Sequence, residues 1–171
     1  KKDNVMSLGQ LAFAIPTPQF IKMHGGDEDQ QLNKAESYAQ QAIQAINDLK
    51  KPPNVPDADY ASRKAAFICE IHADLGMIHL DRAEEGLMGL DKQELAKAEN
   101  EYRLAVTGTD HPDPSAYYRL GESCRLQSKV DDAIAAFTKA SELGQGPVKQ
   151  YADDAIEKLK ALKAQTGAPK P

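Results

Sequence analysis

Tryptophan is absent from this chain, and Phe and Tyr together supply only 6% of its 171 residues. Few aromatics argue against a β-sandwich and for helices packed through small and aliphatic side chains. There are only two cysteines, Cys69 and Cys124. They form no metal or redox motif and are too few for a disulfide framework, so both are expected to be free thiols packed like small apolar groups. No stretch approaches the roughly 18 apolar residues of a membrane helix. Val5 to Phe13 is too short, and it follows Asp3 and Asn4, so it is no signal-peptide core either. Positive charge does not predominate, with 21 Lys and Arg against 26 Asp and Glu and a net charge of −5. Most Lys and Arg alternate with acids, unlike the clustered bases that grip phosphates, so nucleic acid is not an expected partner. Lys50-Lys51 and the series Lys158, Lys160, Lys163 read as a helix end and a solvated helix face. The chain begins at Lys1, not Met, and is expected to be part of a longer protein, so no compartment is assigned.

The usual signatures of catalysis are missing too. Ser123 has no G-x-S-x-G elbow around it. Gly144-x-Gly146 runs into Pro147 instead of a phosphate-binding G-K-[ST]. His72 and His79, with Glu70, Asp74 and Asp81 nearby, suggest a metal face at first sight. Seven residues of helix separate the two imidazoles by roughly 10 Å along the axis, too far for one ion with bonds near 2 Å. H-E-x-x-H and E-x-x-H are absent from the chain. The sequence therefore predicts no enzyme, no catalytic or metal residues and no cofactor. A helical-bundle metal carrier or enzyme on the His72/His79 face stands as the alternative.

What is present is a spacing of small and large residues. Tyr117, Leu120, Gly121 and Cys124 fall three, one and three apart, followed by Ala133, Phe137 and Ala140. Gly121 and Ala133 allow two helices to approach closely, and Tyr117 and Phe137 fill the space around that contact. His72, Leu75, Gly76 and His79, followed by Ala98, Tyr102 and Ala105, repeat the arrangement, with His at both aromatic positions. A third version reads Leu8, Leu11, Ala12 and Ile15, then Ala35, Tyr38, Ala39 and Ala42. Inserts interrupt the two earlier versions, one around Pro16, Pro18, Gly25 and Gly26 and one over Glu85 to Lys97. Phe20, Ile21 and Met23 in the first insert are apolar enough to fold back onto a helix.

These spacings resemble the tetratricopeptide repeat, whose pattern is W-x2-L-G-x2-Y…A-x3-F…P. The resemblance implies an all-α fold: tetratricopeptide-like helical hairpins in a right-handed solenoid with a C-terminal capping helix. It would form a single domain over residues 1–165, with repeats at 5–56, 57–113 and 114–147, a capping helix over 147–164 and a disordered tail over 166–171. Asp57 or Asp59 and Asp91 are expected as caps, and the helix after Asp57 is long enough for Tyr60 to Ile68 to cover the Pro52-Pro53 loop. The capping stripe is Val148, Tyr151, Ala152, Ala155, Ile156, Leu159 and Leu162. Such repeats are normally surfaces for holding another protein, so the resemblance implies a scaffold that binds a protein or peptide, and self-association is compatible with it. In that family the groove is lined mainly by the first helix of each repeat. Carried over, its positions are Glu70, Asp74, Met77 and Asp81 in the second repeat. In the third they are Tyr118, Arg119, Glu122 and Arg125, with the two arginines as a basic end. The acids disfavour the clamp that some members use for acidic chaperone tails.

Overall fold

The computed structural model describes residues 2–17, 20, 23, 25, 27–84 and 89–166. Among the described residues the fold is all-α, with seven helices and no strand. They are α1 (Lys2–Ala14), α2 (Glu28–Asp48), α3 (Asp57–Glu84), α4 (Lys92–Thr107), α5 (Pro114–Leu126), α6 (Val130–Leu143) and α7 (Gly146–Thr166). None is long and apolar enough to cross a membrane. The chain divides into two compact units, Lys1–His111 with α1–α4 and Pro112–Pro171 with α5–α7. The division falls in the His111-Pro112-Asp113-Pro114 segment.

Helix ends follow from local chemistry. Asp27, Asp91 and Asp113 cap α2, α4 and α5, each accepting from a backbone N–H of the first turn, at 3.2 Å from Asp29, 2.7 Å from Gln93 and 2.9 Å from Ser115. Pro114 occupies the first turn of α5, where its missing N–H costs nothing. After α5 the chain reverses through Ser128, at φ 60°, and Lys129 N–H returns to Cys124 O at 2.9 Å. Gly144 ends α6 with its N–H on Ala140 O at 2.9 Å. A Cβ there would lie 2.6 Å from that same oxygen, so close approach, not a left-handed turn, demands glycine.

In the first unit α1 packs on α2, α2 on α3 and α3 on α4. Leu8, Ala12, Ala39, Ala42, Ile71 and Leu75 form one core cluster and Ile15, Leu32, Ala35 and Ile78 another. Leu11 departs from the expected stripe and is exposed. Phe20 packs on the second cluster, whereas Met23 is 79% exposed and does not fold back onto a helix. Ile21, Pro18, Gly26 and Gly86 lie outside the described residues. After the second insert α4 starts at Lys92 behind the expected Asp91 cap, and Asp91 N–H closes the turn on Ala83 O at 3.0 Å. The early turns of α3 do reach the proline loop, with the Tyr60 hydroxyl donating to Leu49 O.

In the second unit α6 packs against both α5 and α7, while α5 and α7 touch only slightly. Lys163 bridges to Asp131 at 2.5 Å and pins the end of α7 to the start of α6. The stripe on α7 is only half a cover. Ala152 and Leu159 are buried, but Tyr151 and Leu162 are 58% and 51% exposed. At 100° per residue both lie to one side of the stripe, on the flank that lines the groove with α5 and not on the α6 contact. The helix also runs through Thr166, into the segment expected as tail; residues 167–171 lie outside the described residues.

Candidate binding groove

Two contacts organise the α3–α4 and α5–α6 pairs. A Cβ on Gly76 would meet the Tyr102 ring at 2.8 Å, and one on Gly121 would meet the Phe137 ring at 2.7 Å. In each pair a buried aromatic ring of the second helix lies against a backbone that only glycine leaves bare. The flanking residues, Ala98 and Ala105 in one pair and Ala133 and Ala140 in the other, are all buried.

The histidines depart from the expected role of packing aromatics. His72 Nδ1 is hydrogen-bonded to Glu101 Oε2 at 2.7 Å, and His79 Nδ1 to Glu94 Oε2 at 2.7 Å. An aromatic at these positions would pack; imidazole instead forms two polar bridges from α3 to α4. Burial pushes the Glu94 carboxyl up, but hydrogen bonds from Lys97 and His79 outweigh it and hold it below its ordinary value. Each imidazole has its own carboxylate two turns from the other. Among the described residues no group of three or more His, Cys, Asp or Glu is arranged to hold a metal ion. Both cysteines are buried thiols outside any disulfide, and burial raises the Cys69 thiol.

The α3 residues carried over from the repeat pattern share one helical strip. Glu70 is exposed, while Asp74, Met77 and Asp81 are half-buried. Asp74 does not behave as a solvated groove carboxylate: burial first, then the neighbouring Glu70 charge, raises it to about 7.

The α5 set divides differently. Tyr118, Glu122 and Arg125 line a groove of about 450 Å³, whose other side is Tyr151, Asp154, Lys158 and Leu162 of α7. Arg119 is exposed and does not line it. Aromatic contacts run outward from the core, Phe137 to Tyr118 at 5.3 Å between ring centroids and Tyr118 to Tyr151 at 6.4 Å. Both are tilted geometries that such rings favour. Burial and the Glu122 carboxylate push the Tyr118 phenol up against the opposing pull of Arg119 and Arg125, so it is a neutral hydroxyl at physiological pH. Arg125 is not half of an open basic end. Its Nε and Nη2 donate to the two Glu122 oxygens at 3.2 and 2.8 Å, because one helical turn places them side by side. Lys158 makes no ion pair among the described residues, and Asp154 on the same helix is likewise unbridged.

The sequence does not point to the α7 side of this groove, because the apolar stripe of α7 reads as a cover. The available signal was the offset of Tyr151, Lys158 and Leu162, spaced i, i+7 and i+11, to one edge of the apolar stripe. Compared with protein-family models, curated proteins and solved structures, the chain matches none.

Proposed function

We propose that this chain is a non-catalytic module that holds a protein or peptide segment, built from hairpins of the tetratricopeptide class, which forms right-handed solenoids. The parallel Gly76–Tyr102 and Gly121–Phe137 contacts support the class. The observation that carries the function is the groove between α5 and α7. Two partly exposed tyrosines form its centre, an apolar edge of Leu159 and Leu162 lies beside them, and Asp154 and Lys158 offer opposite charges. Tyrosines with an apolar body and a polar tip are favoured anchors at protein interfaces. The lining suits an extended segment with one large apolar side chain flanked by an acid and a base. Its lining is made of contact groups, with no activated nucleophile among them.

The test is selection of binders from a random peptide library on the wild-type chain, followed by affinity measurement against Tyr151→Ala and Lys158→Glu. Both side chains are exposed, so melting temperature should change little. Tyr151→Ala should weaken a selected peptide by about 2 kcal/mol or more, as expected for an aromatic anchor. Unchanged affinity for both variants would place binding on another surface.

A further inference from the structure

The first unit holds a different kind of cavity, of about 420 Å³, at the end where α1, the tail of α2, the proline loop and the start of α3 meet. Its walls are Val5, Ile46, Leu49, Val55 and Phe67, and its rim carries Lys50, Arg63 and Lys64. The volume is that of a small-molecule site. We propose that this cavity binds a single-chain fatty carboxylate, with the alkyl tail among the apolar walls and the head on Lys50 and Arg63.

The loop wall is held in place. Val55 N–H donates to Pro52 O at 3.2 Å, Lys51 Nζ donates to Val55 O at 2.7 Å, and Lys51 also pairs with Asp57 at 3.0 Å. Tyr60 donates to Leu49 O. The Leu49 and Val55 carbonyls are thus engaged already, and the walls are otherwise hydrocarbon. A buried peptide backbone would leave its amides without partners there, at a desolvation cost that an alkyl chain does not incur.

The rim selects the head group. Lys64 reaches Asn47 O at 3.5 Å, whereas neither Lys50 nor Arg63 makes a hydrogen bond or ion pair among the described residues. Asp48, two residues from Lys50, takes Gln44 Nε2 at 3.0 Å instead. In a chain of net charge −5, two unneutralised cations beside an apolar opening form a local attraction for one anion. A guanidinium matches a carboxylate with two parallel hydrogen bonds.

Calorimetric titration of the chain with dodecanoate, below its micelle concentration, tests this. One site per chain is expected, and octanoate should bind more weakly, since each buried methylene is worth roughly fourfold in affinity. Dodecyltrimethylammonium should bind at least about tenfold more weakly, the loss of one charge-assisted contact. Lys50→Glu with Arg63→Glu should weaken dodecanoate by a similar factor while leaving the melting temperature near wild type. Val55→Trp, which fills the cavity, should abolish binding. Absence of dodecanoate binding would overturn the proposal. So would equal affinity in the folded charge-reversed pair, or saturation of the site by an acidic leucine-bearing peptide that dodecanoate does not displace.

Discussion

Burial and the Glu70 charge raise Asp74 to about 7, so its carboxyl binds a proton in the native state over a range where the unfolded chain has released it. The native state therefore holds more protons from near pH 4 up to about 7. The contribution of this group to stability is greatest at the acid end and falls as pH rises through that window. Above about pH 7 the native state contains a charged carboxylate with a like charge beside it. Asp74→Asn removes that cost. Urea denaturation should find the variant more stable than wild type at pH 8, on the order of 1–3 kcal/mol, with the gain shrinking towards pH 4. A constant difference across pH would contradict the shift. Neither this effect nor the Glu122–Arg125 bridge was legible at the level of residue type. Asp74 reads as one more acid on a solvated strip, and Arg125 as a free cation, until neighbours and burial are known.

At the scale of elements, close approach of paired helices depends on a bare backbone under a ring. An alanine at Gly121 improves helix propensity by up to about 1 kcal/mol, yet its Cβ would sit 2.7 Å from the Phe137 ring. The clash should win, because overpacking a filled core costs typically about 1–3 kcal/mol. Gly121→Ala should therefore lower the urea midpoint, and Phe137→Leu in the same chain should make the substitution less harmful than it is alone. Additive losses in that double-mutant cycle would count against the contact. The Asp91 cap and the stop at the Pro52-Pro53 loop were readable, whereas Asp57, expected with Asp59 as a cap, is already the first residue of α3. The glycine–aromatic pairs were readable because small and large residues at set spacing leave few ways to pack. The direction of the α7 flank was not. Its apolar stripe says that one side is buried, but not that Tyr151 and Leu162 lie beyond the edge of the α6 contact.

Across the whole molecule, two sites of unlike chemistry occur in separate compact units. The groove of the second unit offers aromatic side chains and both signs of charge. The cavity of the first unit offers hydrocarbon walls and a cationic rim. Half of the groove could be read ahead, since Tyr118, Glu122 and Arg125 lie on the face of α5 that the repeat pattern assigns to binding. The other half depends on how α7 returns across α6, which no single helical stripe encodes. The most direct test of the binding claim is an amide chemical-shift titration of the chain with a library-selected peptide. Segment binding predicts saturable shifts concentrated at residues 118–126 of α5 and 151–162 of α7, with α1 and α2 unchanged. Shifts centred instead on the α3 strip from Glu70 to Asp81, or spread evenly over all helices, would contradict it.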